Sequence, residues 1–137
     1  MTMIQLVYAS RPFGFDESTL SGILFTARSS NSRDGITGAL ICRADLYLQL
    51  LEGPCDKVEA AYARIERDDR HLEIRRLVRS PVEMRLFGAW AMRSDPARTW
   101  MWTREQVENG APDKATTEEV LSVFSRLLDE APVPTGA

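Results

Sequence analysis

Ile36-Thr37-Gly38-Ala39-Leu40-Ile41-Cys42-Arg43-Ala44-Asp45-Leu46-Tyr47-Leu48-Gln49-Leu50-Leu51-Glu52-Gly53-Pro54 holds two apolar runs parted by the polar Arg43-Ala44-Asp45. A connection that short between two strand-forming runs is a hairpin, so residues 36–42 and 46–52 are expected to pair antiparallel. In the second run Leu46, Leu48 and Leu50 share one face, and Tyr47, Gln49 and Leu51 the other. Gln49 therefore sits between two apolar neighbours. A buried amide needs partners, and leaving one of its groups unmet costs about 1 to 3 kcal/mol. Either a ligand or polar network lies on that face, or the strand is at an edge and the face is wet.

Outward from the hairpin, Gly53-Pro54 opens a helix with Pro in the first turn, and Val58, Ala61, Tyr62 and Ile65 recur at helical spacing. This helix is expected to end near Asp69-Arg70-His71. Upstream, Ile4-Gln5-Leu6-Val7-Tyr8-Ala9 reads as a first strand closed by Ser10-Arg11-Pro12-Phe13-Gly14. Asp16 is the N-cap of a helix whose stripe is Leu20, Ile23, Leu24 and Ala27; it reaches about Ser30 and is broken over residues 31–35. Residues 74–80 give a fourth strand and Phe87-Gly88-Ala89-Trp90-Ala91-Met92 a fifth, which would put Trp90 and Met92 on one face. The order β-α-β-β-α-β-β predicts an α+β domain, a ferredoxin-like β-α-β-β-α-β core with an added fifth strand. Beyond it, Asp95-Pro96, Trp100-Met101-Trp102 and Gly110-Ala111-Pro112 form a connector with a short helix inside. Thr116 and Glu119 make a capping box for a last amphipathic helix carrying Val120, Leu121, Phe124, Leu127 and Leu128, and the tail from Pro132 is expected to fray. That helix is expected to cap the open face of the sheet. The expected division is residues 1–93 as a core domain and 94–137 as a helical extension.

Composition narrows the function classes. A chain of 137 residues, 44% hydrophobic and 27% charged, suits one compact domain. The formal net charge of -3, from 17 basic and 20 acidic groups, builds no phosphate-seeking field, so nucleic acid is not an expected partner. No run approaches the roughly 20 apolar residues of a membrane span, and Met1-Thr2-Met3-Ile4-Gln5 is not a secretory leader. A soluble, cytoplasmic protein is expected. Cys42 and Cys55 lack metal-ligand spacing and read as free thiols, and His71 is the single histidine, which leaves a metal site or catalytic triad little to build on. Gly35-Ile36-Thr37-Gly38 has neither the spacing nor the lysine of a phosphate loop.

Leu6-Val7-Tyr8-Ala9-Ser10, Asn31-Ser32-Arg33 with Gly35-Ile36-Thr37-Gly38-Ala39-Leu40, Gln49-Leu50-Leu51-Glu52-Gly53, Asp68-Asp69-Arg70-His71 and Phe87-Gly88-Ala89-Trp90-Ala91-Met92 together resemble the BLUF family, blue-light sensing domains that use flavin, in its short single-domain form. The resemblance covers roughly residues 3 to 93. It implies an isoalloxazine ring held between the two helices. Tyr8 would be the light-driven electron and proton donor, Gln49 the bridge between phenol and ring, and Asn31 the holder of the ring's polar edge. Ile23 and Ile65 would pack on the two ring faces, with Arg33, Asp69, Arg70 and His71 near its edge or tail. Trp90 and Met92 would relay the switch. The resemblance further implies FAD, with FMN or riboflavin as alternatives, a separate downstream effector protein, a homo-oligomer, and no enzymatic activity. Ser30 and Ala91 depart from the family's more usual polar residues. The rival expectation is a small ferredoxin-like metabolite-binding protein or enzyme with no photocycle, which would be colourless.

Overall fold

The computed structural model describes residues 2–131; Met1 and the tail from Pro132 lie outside the described residues. The elements run β1 (Met3–Pro12), α1 (Glu17–Asp34), β2 (Thr37–Arg43), β3 (Leu46–Pro54), α2 (Cys55–Glu66), β4 (His71–Val82), β5 (Arg93–Pro96), α3 (Arg104–Glu108), α4 (Ala111–Lys114) and α5 (Thr117–Leu128). The sheet order is β4-β1-β3-β2-β5. All pairs are antiparallel except β2 with β5, which are parallel. This is the ferredoxin-like α+β arrangement, with the fifth strand added beside β2.

Local chemistry sets the element ends. Asp16 accepts from the Thr19 amide at 2.7 Å and so satisfies an orphan donor at the start of α1. Gly35 ends that helix with φ at 71°, a left-handed conformation glycine adopts without penalty. The expected break over residues 31–35 is corrected here: Asn31 lies inside the helix. The β2–β3 hairpin turns at Ala44-Asp45, with Arg43 opposite Leu46. Gly38 is required where β2 crosses β3, because a Cβ there would lie 1.9 Å from the Leu50 carbonyl oxygen.

β3 is central, and Leu46 through Gly53 are all buried because both faces of the sheet are covered. One core joins Leu6, Tyr8, Tyr47 and Leu51 to Leu20, Ile23 and Leu24 of α1 and Val58, Ala61 and Tyr62 of α2. The other joins Val7, Ala9, Ile41, Leu48 and Leu50 to Phe87 and to Val120, Phe124 and Leu127 of α5. The last helix therefore caps the open face, held at its start by the expected Thr116–Glu119 capping box. The connector before it holds two short helices, α3 and α4. Among the described residues no helix is long and apolar enough to cross a membrane.

The expected fifth strand over residues 87–92 is corrected: that stretch is an irregular loop, and β5 follows it at Arg93–Pro96. An apolar run alone does not tell a strand from a loop whose side chains anchor on two sides of a sheet. Phe87 enters the second core, Met92 enters the first, and Trp90 stays 37% exposed, so Trp90 and Met92 do not share a face. The charged Arg93-Ser94-Asp95-Pro96 forms the strand because the Arg93–Asp95 ion pair, 2.7 Å, is buried with it.

Two further boundaries move. α2 ends at Glu66, and His71 opens β4 opposite Pro12. β4 spans His71–Val82 rather than 74–80; register shifts against Val7/Tyr8 and Ala9/Arg11 interrupt its period-2 pattern, with Glu73 left-handed at φ 53°. Pro81 is tolerated inside it because β4 is an edge strand.

Candidate functional site

Helices α1 and α2 lie over the same sheet face and leave between them a cavity of about 250 Å³. Each wall is one helical stripe. Ile23, Thr26, Ala27 and Ser30 come from α1 at i, i+3, i+4 and i+7. Ala61, Arg64 and Ile65 of α2, with Asp68 just beyond it, repeat the same spacing. The floor is Tyr8, Gln49 and Leu51, and Asn31, Arg70 and His71 complete the lining. Each wall offers an apolar pair, Ile23 with Ala27 and Ala61 with Ile65, set among polar groups, which suits a flat heteroaromatic ring.

Gln49 has a partner for each end of its amide. Tyr8 Oη donates to its Oε1, and its Nε2 donates to Met92 Sδ at 3.2 Å. The polar-network explanation for a buried glutamine thus holds, and the edge-strand one does not, since β3 is central and Gln49 is buried. Asn31 Nδ2 donates to the Ala91 carbonyl at 2.9 Å, and Arg28 Nε to the Met92 carbonyl at 3.2 Å, so α1 holds the loop that delivers Met92.

Burial raises the Tyr8 phenol pKa well above its ordinary value, and Asp68 adds to the effect, so the hydroxyl keeps its proton in the ground state. Burial also drives His71 down to about 4, against an opposing pull from Asp68; the imidazole is neutral, with Nδ1 2.8 Å from Ser10 Oγ. Its ring stands edge-on to Tyr8, centroids 5.7 Å apart, and fixes the phenol from the side. Asp68 is held below the usual carboxylate range by its hydrogen bonds from Arg70, at 2.5 to 3.0 Å.

Residues 3–93 match the BLUF family, described as sensors of blue light using FAD. The chain belongs to the BLUF family. A photoactivated adenylate cyclase subunit beta from Euglena gracilis is 34% identical over 129 residues, 93% of this chain and 12% of that protein. A stretch of 129 residues necessarily extends past the BLUF match. The chain spans about an eighth of the length of that relative. Among solved structures, BlsA in its ground state superposes with a TM-score of 0.81 at 25% identity, covering 98% of this chain and 94% of that one. BlsA in its photo-activated state gives 0.78 at 25% identity, covering 97% and 99%.

Of the residues expected at the BLUF site, Tyr8, Ile23, Asn31, Gln49, Ile65, Arg70 and His71 line the cavity, and Met92 touches Gln49. Three do not. Arg33 has a 68% exposed side chain and pairs with Asp34. Asp69 is displaced by Asp68, which turns inward because Arg70 grips it. Trp90 lies outside the cavity, with the Arg93 guanidinium 5.8 Å from its ring centroid. The lining residues that sequence reasoning did not assign to the site are Thr26, Ala27, Ser30, Leu51, Ala61, Arg64 and Asp68. One helical step from Ile23 reaches Thr26 and Ala27, and one from Ile65 reaches Ala61 and Asp68.

Proposed function

We propose that this BLUF chain is a blue-light photoreceptor in which Tyr8 and Gln49 convert excitation of a bound flavin into a rearranged hydrogen-bond network. The observation that carries this reading is the Tyr8–Gln49–Met92 relay at the floor of the ring-sized cavity. The flavin supplies, when bound, a chromophore that becomes a strong one-electron oxidant on absorbing blue light. Tyr8 is the group placed to give up the electron, and its raised pKa means the phenol does not ionise beforehand. Its proton leaves along the bond to Gln49 Oε1 as the electron goes. Gln49 then turns over or tautomerises, and as the electron and a proton return to Tyr8 the phenol is restored with the acceptor and donor ends of Gln49 exchanged between its neighbours. In a poorly solvated cavity such a bond is electrostatically strengthened, and a new donor to a ring carbonyl moves absorption to longer wavelength.

The site residues fit a flavin. Ile23 and Ala27 on one wall and Ala61 and Ile65 on the other provide two flat apolar faces, while Asn31 and Gln49 provide amides at the polar edge. The volume suits the ring alone, so a phosphate-bearing tail has to leave past Arg64 and Arg70, whose positive charges favour FAD or FMN over riboflavin. The reading assigns the chain no bond-making reaction of its own and sends the signal, through Met92 and β5, to a separate effector or a second copy of the chain. The purified protein is expected to be yellow and to show a small red shift under blue light that decays in the dark. Gln49→Leu is expected to keep the flavin and lose the shift. A colourless protein, or a Gln49→Leu variant with an unaltered photocycle, overturns the reading.

A further inference from the structure

Glu52 is a fully buried carboxylate on β3, 0% exposed, on the sheet face opposite Gln49. Two of its four donors come from strands: Gln5 Nε2 of β1 at 3.3 Å and Thr37 Oγ1 of β2 at 3.1 Å. The other two are consecutive amides of the loop between β4 and β5, Leu86 N at 2.9 Å on one oxygen and Phe87 N at 2.6 Å on the other. A carboxylate has about four lone-pair directions, and here each one has a donor. From this anchor the chain turns, with Trp90 N donating to Phe87 O at 2.9 Å, crosses β2 where Gly38 N donates to Trp90 O at 3.1 Å, and reaches Met92 against Gln49. The same anchor seats Phe87 edge-on to Phe124 of α5, ring centroids 6.4 Å apart.

We propose that Glu52 is a positioning residue for the photoswitch: by gripping the amides of Leu86 and Phe87 it fixes the start of the loop whose far end holds the Met92 sulfur against Gln49. This rests on the photoreceptor reading. Glutamine at position 52 cannot reproduce the grip. Whichever way its amide turns, an NH₂ group faces one of the two backbone N–H donors, and that buried N–H loses its acceptor. Glu52 lines no part of the cavity, so flavin binding does not depend on it.

The test compares the wild type, Glu52→Gln, Met92→Leu and the double variant, each as full-length flavin-loaded protein. In Glu52→Gln the flavin content and dark spectrum are expected to match the wild type. Amide exchange across residues 86–92 is expected to accelerate at least about tenfold in the dark, and dark recovery to slow about threefold or more. If Glu52 acts through the sulfur, the double variant recovers no more slowly than Met92→Leu alone. Recovery within twofold of wild type in Glu52→Gln, or additive slowing in the double variant, overturns the proposal. If Glu52→Gln does not fold, Glu52→Asp keeps the charge and both acceptor oxygens but withdraws them by one methylene from the loop amides, and the same comparison applies at smaller amplitude. A wild type without flavin or red shift fails the photoreceptor reading instead, and the exchange measurement at 86–92 still reports whether Glu52 holds the loop.

Discussion

At the scale of single residues, Gln49 joins a phenol whose pKa burial raises to a sulfur that accepts only weakly. Turning its amide would set carbonyl oxygen against the Met92 sulfur. Met92→Leu conserves volume, so it is expected to cost under about 1.5 kcal/mol of stability. It also removes both the ground-state acceptor and the clash in the turned state, and dark recovery is expected to slow about three- to tenfold, as transient absorption at the flavin bands will show. His71 gives a pH dependence with a definite sign. Its folded pKa of about 4 lies below the ordinary 6.5, so the unfolded chain binds more protons between those values, and stability is lost as pH falls through that window. The full effect is about 3 kcal/mol. Urea titrations at pH 7.5 and pH 4.5 are expected to show it in the wild type and not in His71→Gln. Asp68, whose pKa is lowered below 3.8, adds a loss of the same sign only at more acid pH.

At the scale of elements, β2 and α5 carry the sharpest expectations. Gly38→Ala puts a methyl 1.9 Å from a β3 carbonyl that belongs to the sheet's central ladder, and neither strand can retreat without moving the cavity floor. A loss of about 3 kcal/mol is expected, read as a lowered thermal midpoint together with reduced flavin loading. α5 is held by Val120, Phe124 and Leu127, all fully buried. Phe124→Ala is expected to cost about 3 to 5 kcal/mol by opening a cavity beneath β3. Because Phe124 stacks on Phe87 and not on any cavity residue, the dark flavin spectrum of this variant is expected to stay that of the wild type if the protein folds. Conversely, Arg33→Ala removes only the ion pair of a solvent-exposed guanidinium with its neighbour and is expected to leave flavin binding unchanged.

At the scale of the whole molecule, the sheet separates two cores and two tasks. One face carries the cavity, the other carries α5, and β5 with its preceding loop passes around the β2 edge between them. The far end of that path is polar and partly buried: Arg93 bridges Asp95 and the Glu130 carbonyl at 2.7 Å, while Arg98 and Trp100 hold the Glu130 carboxylate just past the end of α5. Movement of Met92 is therefore expected to reach residues 93–131. Amide exchange there should differ between dark and illuminated protein; identical protection in both states would show that the signal leaves by another face.

What the sequence by itself determined follows from its periodicities and caps. The split β-α-β-β-α-β order, both helical stripes and the Asp16 and Thr116 caps were all legible, because each is a local pattern whose physics needs only a few neighbouring residues, whereas whether Gln49 was buried or at a wet edge stayed open until the strand order made β3 central. The resemblance to the BLUF family brought out Tyr8 and Asn31 and gave Gln49 a role. Only the tertiary structure decided the rest. Phe87-Gly88-Ala89-Trp90-Ala91-Met92 looks like a strand in isolation and is a loop because its apolar side chains are claimed by cores on opposite faces. Arg93-Ser94-Asp95-Pro96 looks like a linker and is a strand because its charges find each other out of water. Asp68 rather than Asp69 faces the cavity because Arg70 reaches that carboxylate, and Glu52 reads as no more than the last residue of a strand until the loop amides that donate to it are brought across the fold.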